Sequence, residues 1–229
     1  YIAMDHKELL KRRFEFYTEI KQKVESYLGK TSRQLEAYVA TYSAEVRTFK
    51  PQRATQEMFF RSLAKIDVLL FGDFHSEPQS MRSLLRVCRK LKTEEIVIGL
   101  ECVQYKHQGV LDRFISGDIS EADFLQKIEW AAHWDFPFDF VRPLFHWASL
   151  NQIRIYGLND SSSSLKTRDL KIAKNIESIK KQFPDYLLIV QIGDYHLARK
   201  HLSASLKKVN PKLKIQTVFQ SPDEVYFKW

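Results

Sequence analysis

Two stretches of this chain share one plan: Leu69 to His75 reads LLFGDFH and Val190 to His196 reads VQIGDYH. Each is a short apolar run, broken by Gly-Asp, followed by an aromatic residue and a histidine. Each also closes a strand-like segment and opens a helix-like one. A short continuous apolar run bounded by a turn is the pattern of a strand buried on both faces, and a parallel sheet covered by helices is where such strands occur. The echo thus predicts an α/β fold and puts two histidines at one edge of its sheet.

The segments between the echoes repeat the alternation. Val68–Phe71 is the first expected strand, and Met81, Leu84, Leu85, Cys88 and Leu91 fall on one face of the helix after it. Ser76 with Gln79 has the form of a capping box, and Pro78 suits a first helical turn. Ile96–Leu100 is a second strand ending at Glu101, followed by a helix near residues 107–115. Ser120 with Asp123 caps another helix running toward Ala132. An aromatic passage, residues 133–140, leads to a helix over about 142–149. Residues 153–157 form a third strand ending at Asn159 and Asp160, and Ser161 to Ser164 a polar loop. A helix over 170–183, a fourth strand over 187–192 and a helix over 197–209 precede a fifth strand over 213–219, with Val225–Phe227 as a further edge strand. The expected fold is a mainly parallel sheet of about five strands with helices on both faces.

The amino-terminal quarter differs. Leu9, Leu10, Phe14, Tyr17, Ile20, Val24 and Leu28 keep helical spacing between charged residues, Gly29 is a plausible stop, and Thr31 caps a second helix carrying Leu35, Tyr38, Val39 and Tyr42. Pro51 ends that pattern, and a short third helix over 54–65 leads into the first strand. Residues 1–63 are therefore expected as a helical segment packed on or beside the core, with a homodimer contact as an alternative use, and residues 64–229 as the α/β domain.

Charge and cysteine content narrow the chemistry. Thirty-six Lys and Arg against 28 Asp and Glu give +8, which favours anionic ligands, yet the basic residues are spread along helices and form no nucleic-acid module, so nucleic acid is not an expected partner. Cys88 and Cys102 have neither zinc-knuckle nor disulfide spacing. No apolar run is long enough for a bilayer-spanning helix. The chain opens on Tyr1, so it is expected to belong to a longer product. Walker, dinucleotide-binding and G-x-S-x-G motifs are absent from the sequence.

The strand ends collect the candidates: His75, Glu101, Asn159 with Asp160, and His196. Two imidazoles with one carboxylate can bind a divalent metal such as Mn, Co or Zn that keeps positions open. The same trio without metal can serve as base, acid and anchor around an attacking water. Glu101 ends an apolar strand, so a cation, metal or histidine is expected beside it. Asp73 and Asp194 are candidates either for ligand contacts or for turns and caps, and Tyr195 for a ligand contact. His133 is placed to lean over the site, and Arg142 to hold a carboxylate or phosphate or to form an ordinary ion pair. Trp130, Trp134, Phe136, Phe138, Phe140 and Trp147 suit either a wall for a flat ligand or plain core.

GDFH after the first strand, the glutamate of GLEC and the second G-x-x-H in GDYH together resemble the superfamily of ChaN-like haem-binding uptake proteins, TraB and Tiki proteins and erythromycin esterases. The ChaN-like branch is the nearest in pattern, through Arg142-Pro143-Leu144, the run from Arg154 to Asn159 and GDYHLARKHL. The resemblance spans Ala64 to about Phe219. It implies His75, Glu101 and His196 as site residues, with Arg142 a less secure fourth. It also implies haem or a metal-bearing ligand for a binding protein, or a divalent metal or activated water for a hydrolase, and a cell-envelope location. The chain departs from the ChaN-like pattern in having Asp73 where Glu is common and in lacking a Gly-Val-Pro run after the second motif.

Overall fold

The computed structural model describes residues 5–28, 32–50, 52, 54–73, 75, 78–92, 95–160 and 164–220. They fall into two compact units divided between residues 51 and 52. The first contains α1 (His6–Leu28) and α2 (Arg33–Val46). Both follow from the apolar spacing, but the cap of α2 is Ser32, whose hydroxyl accepts from Leu35 N–H at 3.2 Å. Thr31, Gly29 and Pro51 lie outside the described residues, as do Ser76 of the expected capping box, Ser161–Ser163 and the expected edge strand Val225–Phe227.

The second unit begins with α3 (Gln56–Leu63) and holds a five-stranded sheet among the described residues. Its strands are β1 (Val68–Asp73), β2 (Ile96–Gln104), β3 (Ile155–Asn159), β4 (Leu187–Gly193) and β5 (Ile215–Val218), ordered β3-β2-β4-β1-β5, and every pairing is parallel. Between them come α4 (Pro78–Cys88), α5 (Gln108–Ile115), α6 (Glu121–Lys127), α7 (Trp130–His133), α8 (Arg142–Leu150), α9 (Leu165–Gln182) and α10 (Ala204–Val209).

The order of the strands dictates where the helices lie. From β1 the chain steps to β2 and on to β3 in one direction across the sheet, then returns to β4 and β5 in the other. Because crossovers between parallel strands are right-handed, the reversal sends the two sets of helices to opposite faces. Leu69 and Phe71 accordingly share a core with Met81 and Leu84 of α4, Leu111 of α5 and Leu144 of α8. Val68 and Leu70 pack with Ile172 and Ile176 of α9 and Leu206 of α10. The reversal also means that β4 is flanked on both sides, by β1 and β2, with strands whose connections leave for the other face. A crevice at the carboxyl ends of the strands is the consequence.

Three local expectations need correction. β2 continues past Glu101 to Gln104, with its register against β3 shifting between Leu100 and Gln104. The helix begun at Ser120 breaks at Glu129, whose φ of 55° is left-handed, before α7 resumes. The segment after GDYH is not one helix: a 3₁₀ turn over Asp194–Leu197 and an irregular turn over Arg199–Ser203 precede α10.

Candidate functional site

Register brings the two histidine motifs together, because Asp73, the last residue of β1, lies opposite Gly193, the last of β4. Glu101 enters from β2 on the other side of β4. Its Oε1 is 3.3 Å from Nε2 of His196 and its Oε2 is 3.6 Å from Nε2 of His75. The Gly193 N–H donates to Oε2 at 2.7 Å. Each imidazole is held from behind: Nδ1 of His75 lies 2.5 Å from Asp73 Oδ2, and Nδ1 of His196 lies 2.5 Å from Asp169 Oδ1. An ionised carboxylate only accepts, so each Nδ1 carries its proton and donates. The result is one chain of charges, Asp73, His75, Glu101, His196, Asp169. All are buried except His75, whose side chain is 30% exposed.

The electrostatics follow from that chain. Burial alone would raise the pKa of Glu101, but the charge and hydrogen bond of His196, the charge of His75 and the Gly193 N–H bring it well below the ordinary carboxylate value. For His196, burial lowers the pKa, and the Glu101 charge and the Asp169 hydrogen bond outweigh it, for a net rise. His75 is likewise raised, its burial outweighed by the Asp73 hydrogen bond and the Glu101 charge.

The glycines of both motifs owe their place to space rather than to backbone conformation. At Gly72 an added Cβ would fall 1.8 Å from Asp194 Oδ1. At Gly193, where φ is −52° and ψ 138°, it would lie 3.3 Å from His75 Nε2, 3.4 Å from Glu101 Oε2 and 3.8 Å from His196 Cδ2. The aromatic passage divides. Trp130 and Phe138 are buried in the core, while Trp134 meets His75 edge-on at 4.9 Å and Phe136 stacks on it at 5.6 Å. Trp134 is fixed by its Nε1–H donating to Cys102 O at 2.9 Å.

Other expected site residues lie elsewhere or take other roles. Arg142 forms a two-pronged pair with Glu121, at 2.7 and 2.6 Å, and a further pair with Asp139 at 2.7 Å. It is an ion-pair residue. His133 sets Nε2 3.5 Å from Glu129 Oε2, one helical turn back, rather than over the site. Asp194 is buried against Gly72, and Tyr195 is 42% exposed with its carbonyl 2.6 Å from Nδ1 of His201. Asn159, at the end of β3, faces a separate cavity with Gln104 and Lys174. Among the described residues no group of three or more His, Cys, Asp and Glu side chains is arranged to hold a metal ion. Asp169 is the member that sequence reading missed. Its signal was a carboxylate at helical spacing with Ile172, Ala173 and Ile176, on the stripe of α9 that faces the core.

Residues 59–167 match the family described as haem-binding uptake, Tiki superfamily, ChaN. The matched segment contains His75 and Glu101 and ends before Asp169 and His196. No curated protein sequence matches the chain. Among solved structures, that of cofacial haem binding to ChaN of Campylobacter jejuni is similar with a TM-score of 0.60 and 14% identity, over 76% of this chain and 89% of that one. RRSP, a MARTX toxin effector domain from Vibrio vulnificus, is similar with a TM-score of 0.50 and 18% identity, over 74% of this chain and 36% of that one. At these identities the likeness is one of fold. The resemblance of this chain to the ChaN and Tiki superfamily holds in motif order, family match and architecture.

Proposed function

We propose that this chain, similar to the ChaN and Tiki superfamily over its first three strands and in fold, is a hydrolase in which His75 and Glu101 activate water while His196 holds Glu101 in place. The observation that carries this is the position of Glu101 between two Nε2 atoms whose rings are each anchored on a carboxylate. When His75 is neutral, Asp73 keeps the ring proton on Nδ1 and leaves the Nε2 lone pair facing the crevice, the tautomer that a general base requires. His75 is also the partly exposed member, and so the one a substrate can reach.

The step balances for an ester or amide. Water bonds through oxygen to the carbonyl carbon as Nε2 of His75 takes its proton. The carbon–oxygen or carbon–nitrogen bond then breaks as the same proton passes to the leaving atom, which returns His75 to neutral and releases an acid and an alcohol or amine. Glu101 Oε2 orients the water by accepting its second hydrogen. His196, kept protonated, fixes the other carboxylate oxygen and offsets its charge.

Haem binding is the second reading, favoured by the family description and by the Trp134 and Phe136 rings beside His75. The residues fit a flat apolar ligand against that wall. They do not fit an iron bond from His196, which is buried with both ring nitrogens against carboxylates; His75, part-exposed and with its Nε2 left without a proton, is the imidazole that would hold an iron.

Turnover of aryl esters and short peptides, with a haem titration in parallel, tests the two. Glu101→Ala and His75→Ala are each expected to lose at least about 10²-fold in kcat. Wild-type protein inert toward both substrate classes, with a Soret shift abolished by His75→Ala, would replace hydrolysis with haem binding.

A further inference from the structure

The carboxyl ends of β2 and β3 border a cavity of about 380 Å³, lined by Gln104, Lys106, Asn159, Lys171, Lys174 and Asn175 together with Tyr105 and Asp160. We infer that this cavity is an anion subsite that takes a carboxylate or phosphate group of the substrate.

The lining includes three lysine ammonium groups and the side-chain amides of Gln104, Asn159 and Asn175. The Asp160 carboxylate is paired with Lys171 at 2.7 Å, which leaves the positive charges of Lys106 and Lys174 in excess, and neither has a carboxylate partner among the described residues. Asn159 is the built element. It is 9% exposed, and its Oδ1 accepts from Asp160 N–H at 2.8 Å, which fixes the amide plane. Its Nδ2 has no hydrogen-bond partner among the described residues and is left to meet a ligand acceptor in the cavity. Asn175 is locked in turn by donating to Leu158 O at 2.9 Å, so the wall is rigid on that side. A fixed neutral donor flanked by two lysines is complementary to an oxyanion.

The place is as telling as the chemistry. Gln104 lies three residues beyond Glu101 on the same strand, about 10 Å along it at the usual rise. A bound anionic group would therefore sit roughly 10 Å from the reacting atoms and hold the scissile bond in register, which makes esters or amides bearing such a group the favoured substrates. That last step rests on the hydrolytic reading; the anion site does not.

The test is a titration of full-length protein with inorganic phosphate and, separately, succinate, at constant ionic strength with chloride, following the Asn159 side-chain amide by ¹⁵N NMR. Saturable shifts are expected, with affinity weakened roughly tenfold or more in Lys106→Ala/Lys174→Ala. Both lysines are exposed, and an unchanged Tm confirms that the double variant is folded. Phosphate alone saturating identifies a phosphate site, succinate alone a carboxylate site. Neither saturating, or equal affinity in the double variant, overturns the inference. Glu101→Ala separates the two proposals: it is expected to keep phosphate or succinate binding while losing turnover, and saturable binding by a protein without any turnover sinks the hydrolase while leaving the subsite.

Discussion

Gly193→Ala isolates the water-activating geometry. The backbone there is already open to alanine, and the N–H that donates to Glu101 is retained, so only a methyl group is added. That methyl lands 3.3 Å from Nε2 of His75 and 3.4 Å from Oε2 of Glu101, the two atoms a shared water must touch. Contacts this close require the neighbours to give by a few tenths of an ångström, a cost of about 1 to 3 kcal/mol in a packed region. The lower entropy of the unfolded alanine chain offsets about 0.4 to 1 kcal/mol of it. A Tm lowered by no more than about 10 °C is therefore expected for a chain of this size. Turnover should suffer far more, by roughly 10²-fold or above, because the nucleophile is displaced while base and carboxylate remain. Steady-state kinetics on the best ester or peptide substrate, beside a thermal melt, make the comparison. Turnover within about threefold of wild type in a folded variant would refute a water held between His75 and Glu101.

Asp169→Asn keeps the shape of the His196 anchor but removes its charge, so the His196 pKa should fall in an NMR titration and kcat should drop about tenfold with KM unchanged; an unmoved pKa removes Asp169 from the relay. Stability should depend on pH with a definite sign. His75 and His196 hold protons more tightly when folded, so their contribution is complete below pH 6.5 and is lost as pH rises through their raised values. Glu101 is the reverse, contributing above pH 4.5 and losing that contribution as acid approaches its lowered value. Melting should thus ease on the alkaline side of pH 6.5 just where turnover rises, since the base is neutral His75, and parallel rather than opposed trends would count against that role. Arg142→Ala, which breaks a surface ion-pair cluster and a cation contact with the Phe138 ring, is expected to leave kcat and KM within about twofold, and a larger loss would return Arg142 to the site.

What the sequence could reveal was set by the range of each signal. Strands such as Val68–Phe71 are legible because a run buried on both faces must be apolar throughout, and Gly-Asp-aromatic-His marked both exits. Glu101 was legible as a charge that an apolar strand cannot tolerate alone. The extension of β2 to Gln104 was not, because its polar residues pair where the register shifts and resemble a strand end. Asp169 escaped because its partner His196 lies 27 residues away, and only its place on the buried stripe of α9 betrays it. Arg142 stayed open between an anion contact and an ion pair for the same reason: Glu121, which holds it, is 21 residues distant and on another helix.

Stability does not explain the relay. Taking a charged group out of water costs several kcal/mol even after relaxation, and well-packed apolar replacements of a buried pair are commonly neutral or stabilising. Here Glu101, Asp73, Asp169 and His196 are all buried, at the one place where β4 is flanked by strands whose connections leave for the opposite face. Four members of the chain of charges are enclosed, and His75, beside Trp134 and Phe136, is the one that is part-open. A purely structural cluster has no need of one open member, whereas a proton acceptor must meet its substrate and its clamp must not. The two histidines should therefore fail differently. His75→Gln should remove the ionisation that governs the alkaline rise in turnover. His196→Gln should lower kcat across the whole pH range while that rise persists, and identical pH profiles would mean that the division of labour drawn from their burial is wrong.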